Sequence, residues 1–247
     1  MSVTQVAVVG AYGRMGEAIS AAVDAADDLA LLARIGSGDN LDALAEADVA
    51  VDVTRPDQVL ATLRRAVGLG THVVVGTSGM AGAGLDEVRD LLADNPSIGV
   101  LVAPNFSVGA VLAMRFAAQA ATHFESVEVV EMHHPDKVDA PSGTARRTAQ
   151  LIAAAREQAG LGPVRDATGD DGAAARGLDV DGIAVHALRV RGLTASQEVL
   201  LGGVGETLSI RHDSHDRASF MPGVLAAVRA VPSMPGLTVG LDAVLGL

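Results

Sequence analysis

Between Glu131 and Thr144 the chain reads Glu-Met-His-His-Pro-Asp-Lys-Val-Asp-Ala-Pro-Ser-Gly-Thr, its densest gathering of groups that move protons or hold anions. A histidine titrates near pH 6.5, so His133 and His134 are natural acid/base groups at neutral pH. Lys137 can donate a proton or hold an anion, and it gives up its proton more readily when desolvated. It is the only lysine among 18 Lys and Arg residues. Arginine keeps its proton, so a position that must release one calls for lysine; a chance survivor of arginine-rich usage is the plainer alternative. Ser142 suits a helix N-cap, which would turn the Gly143 and Thr144 amides outward as an anion site. Together these groups suit a small substrate that carries carboxylates and takes up a proton as it is reduced.

A second constellation stands near the N-terminus. Gly10-Ala11-Tyr12-Gly13-Arg14-Met15-Gly16 follows an apolar run and opens an amphipathic one. This Gly-x-x-Gly-x-x-Gly is a spaced variant of the dinucleotide fingerprint: glycines admit a pyrophosphate to the backbone, and the helix N-terminus supplies N–H donors. A tight structural turn is the alternative. An NAD site carries an acidic residue roughly 20 residues further on. Here Arg34 stands near that position, with no carboxylate until Asp39. A guanidinium facing the cofactor would favour the 2′-phosphate of NADP, so NADH, NADPH or both stay open. Gly76-Thr77-Ser78-Gly79 and Ala103-Pro104-Asn105-Phe106 each end an apolar run. They are candidate walls of a nicotinamide pocket or ordinary turns. Arg211-His212-Asp213-Ser214-His215-Asp216-Arg217 offers two His and two Asp, but flanking Arg and no third ligand make it a hydrogen-bonded turn between domains, not a metal site.

The elements that must position these residues follow from hydrophobic periodicity. Apolar runs at Val6–Val9, Leu29–Ala33, Val49–Val53, His72–Gly76 and Ile98–Ala103 alternate with amphipathic stretches at Met15–Ala26, Asp57–Gly68 and Leu85–Ala93. Continuous apolar strands separated by helices predict an α/β domain with a Rossmann-like, doubly wound parallel sheet. Beyond Asn105 the pattern becomes α+β with a mixed sheet. Helices are predicted at Val108–His123 and Ser142–Gln158, and strands at Val127–Met132, Ile183–Arg191, Gln197–Leu201 and Glu206–Arg211. Gly162–Gly182, rich in Gly and Asp, reads as a loop. A helix at Ala218–Ala230 and a strand near Leu237–Leu241 pack back on the first domain. The expected division is 1–106 with 216–247 for the dinucleotide, and 107–215 for substrate and oligomerisation.

Composition excludes several classes. The 247 residues are 49% hydrophobic and 19% charged, which is neither disordered nor fibrous. A net charge of -12 without a basic run argues against nucleic acid or an anionic membrane as partner. There is no Cys and no Trp, and Tyr12 is the one Tyr. Disulfides, thiolate metal sites and a thiol nucleophile are therefore impossible, and a platform for stacking bases is lacking. The longest apolar tract, Ile98 to Met114, is broken by Pro104, Asn105 and Ser107, so no membrane span is expected. With no targeting segment in view, the expected location is cytoplasmic.

The run His133-His134-Pro135-Asp136-Lys137-Val138-Asp139-Ala140-Pro141-Ser142-Gly143-Thr144-Ala145 resembles the signature of the 4-hydroxy-tetrahydrodipicolinate (dihydrodipicolinate) reductase family. The glycine loop, Gly76-Thr77-Ser78-Gly79, Ala103 to Gly109 and Arg211 to Phe220 match in the same order. The resemblance implies an NAD(P)H-dependent reduction on the diaminopimelate route to lysine, and a homotetramer. It implies that His133 is the catalytic acid/base and Lys137 the proton donor, with His134, Gly143 and Thr144 binding substrate carboxylates. Gly10 to Met15, Gly76 to Ser78 and Ala103 to Phe106 would contact the cofactor. The chain departs from the family at Arg34-Ile35-Gly36, where many members carry an acidic residue for the ribose. A phosphorylating semialdehyde dehydrogenase, also of Rossmann type, would need a nucleophilic Cys. A nucleotide-sensing regulator would need a basic recognition helix, and none is apparent.

Overall fold

The computed structural model describes residues 3–77, 80 and 82–247, so Ser78, a candidate cofactor contact, lies outside the described residues. The chain divides into two compact units, residues 1–108 with 217–247, and residues 109–216.

The first unit starts with β1 (Thr4–Val9), α1 (Arg14–Asp24) and β2 (Leu29–Ile35). It continues through β3 (Val49–Asp52), α2 (Val59–Gly68), β4 (His72–Val75), α3 (Ala83–Ala93) and β5 (Gly99–Val102). Val6 to Val8, Val49 to Val51 and Val73 to Val75 have no exposed surface. Strands apolar on both sides need cover on both sides, and helical crossovers between parallel strands provide it. Each fully buried valine contributes roughly 1.5–3 kcal/mol over an exposed one.

The second unit comprises most of α4 (Val108–Ala120), then β6 (Ser126–His133), α5 (Gly143–Gln158), β7 (Leu178–Val180), β8 (Ile183–Arg189), β9 (Ala195–Gly203) and β10 (Glu206–Ser214). The chain then returns to the first unit as α6 (Met221–Ala230) and β11 (Gly236–Val239). Among the described residues, β11 adds to β5 and completes a six-stranded sheet in the order β11-β5-β4-β3-β1-β2, parallel throughout. The other sheet runs β10-β9-β6-β8-β7 and is mixed: β6 lies parallel to β8 and antiparallel to β9. No helix among the described residues is long and apolar enough to cross a membrane.

Two features of this fold position the candidate residues. In the parallel sheet Val9, Asp52, Val75 and Val102 are successive register partners, so the loops beginning at Gly10, Val53, Gly76 and Ala103 emerge side by side. In the mixed sheet Val127 and Val129 face a core shared with Ala145, Ala149 and Ile152 of α5. Strand side chains alternate, so Glu131 and His133 continue that same face to the strand's end.

Two expectations are corrected. Gly162–Gly182 is not all loop: it holds a 3₁₀ helix at Asp170–Arg176 and the edge strand β7. Arg176 binds Glu128 of β6 and, at 2.9 Å, Asp166. Asp181 and Gly182, with φ of 55° and 84°, make the two-residue hairpin turn to β8. Likewise Arg211 to Ser214 belong to β10 and are not a turn, since the pairing with β9 runs on to Ser214 opposite Ala195. An edge strand is wet on one side, which is why its polar residues masked it.

Ile152, fully buried, fastens α5 to the sheet. Ile152→Ala is expected to lower unfolding free energy by about 2–5 kcal/mol, read as an earlier denaturant midpoint with an unchanged slope. A loss under about 1 kcal/mol would mean that the helix is held some other way.

Candidate active site

At the carboxyl edge of the parallel sheet the glycine loop is shaped by close approach. Gly10 has a φ of 85°, and a Cβ there would lie 2.8 Å from the Val53 carbonyl oxygen. A Cβ on Gly16 would lie 2.2 Å from the Gly10 carbonyl oxygen, so α1 can pack on the loop only through glycine. Ala11, buried, donates its N–H to Ile35 at 3.1 Å. Gly13 is the N-cap of α1, leaving Arg14 and Met15 in a first turn whose amides no capping side chain satisfies. A cleft of about 590 Å³ opens here, lined by Gly10, Tyr12, Gly13, Gly36 and Asp39 among others.

Arg34 lies beside this cleft. Its guanidinium sits 5.1 Å from the centre of the Tyr12 ring, a cation–π contact, and donates to the Ala11 carbonyl at 3.4 Å. Asp39, which accepts the Gly36 N–H at 2.7 Å, lines the cleft, as do Arg55 and Asp57 on its opposite loop. On the neighbouring strands Gly76 lies under the Phe106 ring, leaving no room for a Cβ, and Ala103 donates its N–H to Val75 at 2.8 Å. Asn105 accepts the Ser107 N–H at 2.8 Å, while Pro104 is exposed. Thr77 donates its hydroxyl at 2.9 Å to Asp52, a completely buried carboxylate that also accepts both donors of Thr54. Asp52 is a residue that sequence reasoning missed; its place at the end of an apolar run was the available signal. Glycines where a ligand must approach, an uncapped helix start and an open cleft fit a dinucleotide.

In the second unit the proton-handling groups converge around Glu131, which has no exposed surface. Its two oxygens take both arms of the Arg189 guanidinium at 2.8 Å each. They also accept the Ser142 backbone N–H at 3.0 Å and meet His133 Nδ1 at 2.6 Å. Burial pushes the Glu131 carboxyl up, but the hydrogen bonds from Arg189, His133 and Ser142 outweigh it and hold it below the usual carboxylate range. An ionised carboxylate only accepts, so Nδ1 of His133 carries the proton and Nε2 is left as the acceptor. Burial lowers the His133 pKa below the usual histidine value, against the pull of Glu131. Burial thus favours the neutral ring.

The remaining residues surround this node. Lys137 pairs with Asp139 at 2.7 Å, and its ammonium holds the Asp139 carboxyl below its usual range. Arg189 also donates to the Asp139 carbonyl at 2.7 Å, fixing the loop that bears Lys137. His134 is exposed, and its carbonyl accepts the Lys137 N–H at 3.2 Å. Ser142 is the N-cap of α5, its hydroxyl accepting the Ala145 N–H at 3.2 Å. Gly143 is exposed, with open space where a Cβ would be, and Thr144, half-buried, follows it in the first helical turn. Sequence reasoning missed Arg189 and gave Glu131 no role. The alternation that places Glu131 on the inward face was the signal for one; Arg189, far along the chain, gave none.

Both halves of the chain match known families. The family model for "Dihydrodipicolinate reductase, N-terminus" covers residues 4–106, and that for "Dihydrodipicolinate reductase, C-terminus" covers residues 109–245. A 4-hydroxy-tetrahydrodipicolinate reductase of Nocardia farcinica is 59% identical, over 98% of this chain and 99% of its own. One from Streptomyces griseus is 57% identical over the full length of both. The solved structure of a dipicolinate-bound dihydrodipicolinate reductase from Paenisporosarcina sp. TG-14 superposes with a TM-score of 0.83 at 35% identity, covering 98% of this chain and 99% of that one. A scyllo-inositol dehydrogenase from Lactobacillus casei shares the fold alone, with a TM-score of 0.62 at 11% identity and 99% and 92% coverage. From end to end, this chain belongs to the dihydrodipicolinate reductase family.

Proposed function

We propose that the protein reduces 4-hydroxy-tetrahydrodipicolinate to tetrahydrodipicolinate with NADH, NADPH or both, on the diaminopimelate route to lysine. The observation that carries this reading is a carboxylate-oriented His133, four residues before Lys137 and joined through Glu131 to an α-helix N-terminus, in a chain with a dinucleotide-type glycine loop. The overall change adds a hydride and a proton and releases one water. The nicotinamide, when bound, supplies the hydride.

The chain's own groups do the rest. The Gly143 and Thr144 amides, at the positive end of α5, receive one substrate carboxylate, and His134 receives the other. Lys137 donates the proton that leaves with the hydroxyl as water. His133 manages protons through Nε2, its Nδ1 being engaged by Glu131. Gly10 to Met15, Gly76 to Ser78 and Ala103 to Phe106 hold the cofactor. Arg34, against Tyr12 beside the cleft, and Asp39 on its wall, with Arg55 and Asp57 lining it too, suit use of either dinucleotide. The protein works in the cytoplasm as a homotetramer. Leu188, Leu200 and Leu208, exposed on β8, β9 and β10, support assembly through the mixed sheet.

Lys137→Arg retains the charge and cannot release a proton at working pH. It is expected to lower kcat by about 10²–10⁴ with a smaller effect on KM; near-normal turnover would remove Lys137 as donor. Light scattering should give about four times the 25.0 kDa chain mass, and a monomeric mass would contradict the tetramer.

A further inference from the structure

The geometry points to Glu131 and Arg189 as positioning residues for the reaction: Glu131 fixes the ring and tautomer of His133, and Arg189 locks Glu131 while tethering the loop that carries Lys137. The inference rests on the proposed role of His133. Glu131 sits two residues before His133 on β6, with both side chains on the same face of the strand. Its carboxylate is fully buried, and its short contact with Nδ1, 2.6 Å, leaves the ring one tautomer and one orientation. Such an arrangement persists only if the carboxylate cannot swing away, and three further bonds from two other elements prevent that. Arg189 closes a two-pronged fork on it from β8, a geometry that lysine cannot reproduce. The Ser142 amide closes the third side and ties the same carboxylate to the start of α5. Arg189 then uses its spare capacity on the Asp139 carbonyl, in the loop whose Asp139 carboxylate pairs with Lys137.

One buried anion therefore indexes three candidate functional groups against each other: His133 directly, the α5 N-terminus through Ser142, and Lys137 through Arg189 and Asp139. None of these links needs Glu131 to touch the substrate. The charged groups that bear on the His133 ring are Glu131 on its own strand, Arg189 from β8, and Lys137 and Asp139 from the following loop. Of these, Glu131 raises its affinity for a proton, while Lys137 and Arg189 lower it. Removing the Glu131 charge must then lower the pH at which His133 titrates, and must free the ring to exchange tautomers.

The test compares Glu131→Gln, the doubly neutral Glu131→Gln/Arg189→Met, His133→Gln and Glu131→Gln/His133→Gln in the full-length protein. The double-neutral variant leaves no unpaired guanidinium, so it reports even where Glu131→Gln alone folds poorly. Histidine labelled with ¹³C at Cε1 and Cδ2 gives titration and tautomer, the His133 signals being those lost in His133→Gln. The expected result is a lower midpoint in Glu131→Gln, part of which Arg189→Met returns in the doubly neutral variant, with loss of the fixed Nδ1–H form in both. The acid limb of the kcat profile should move with it, and kcat should fall about tenfold or more. Adding Glu131→Gln to His133→Gln should cost clearly less than Glu131→Gln costs alone, the remainder being its hold on Ser142 and on the Lys137 loop. An unmoved midpoint and tautomer would overturn the inference, as would kcat losses that multiply in that last variant. Unchanged kcat in His133→Gln would overturn the underlying assignment of His133, and shows apart from the ring titration.

Discussion

The candidate active site hangs on one buried anion. Burying a carboxylate is costly unless it is paired and hydrogen-bonded, and Glu131 meets that condition with donors from β6, β8 and the start of α5. Removing a single partner from such a cluster costs about 3–5 kcal/mol, because the charge left behind has no water to turn to. The same stringency fixes the geometry. Histidine orientation, helix N-terminus and lysine loop are set by one requirement, that Glu131 stay satisfied. The tie weakens in acid: the Glu131 pKa is depressed in the folded protein, so its stabilisation is present above the unfolded carboxyl pKa and is lost as pH falls through the folded one.

The nucleotide half depends on close approach more than on charge. Register partners Val9, Asp52, Val75 and Val102 bring the loops at the sheet's carboxyl edge together, and glycine at 10, 16 and 76 lets backbone and rings touch where a methyl group would collide. Asp52 plays a smaller version of the part of Glu131, holding Thr54 and Thr77 from a fully buried position. Arg34, which the sequence suggests as a phosphate ligand, is engaged with Tyr12 and the Ala11 carbonyl, while Asp39 and Asp57 put carboxylates on the cleft wall.

Much of this was legible in the residues. Valine runs separated by amphipathic stretches specify the parallel sheet, because only two-sided burial tolerates them. The Ser142 cap follows from a Ser after Pro and before a helical period. What stayed hidden is non-local or disguised. Arg189 reaches Glu131 across 58 residues, and no spacing rule links them. Glu131 itself looks like any carboxylate in an alternating strand until the core on its face is known. The β7–β8 hairpin was concealed by Gly- and Asp-rich flanks, although Asp181-Gly182 is a turn dipeptide. The polar end of β10, Arg211 to Ser214, passed for a turn because an edge strand need bury only one side.

Reductase activity is tested most directly by a rate: oxidation of NADH and of NADPH, followed separately by absorbance. Because the hydroxylated ring is labile, it would be formed in the cuvette from pyruvate and aspartate semialdehyde by the upstream synthase. Rapid, substrate-dependent oxidation of at least one cofactor is the predicted result, and the ratio of the two rates reports how Arg34 and Asp39 share the cleft. No oxidation of either, with folded protein and an active synthase, would contradict the reductase reading and leave a dinucleotide-type fold with a different task.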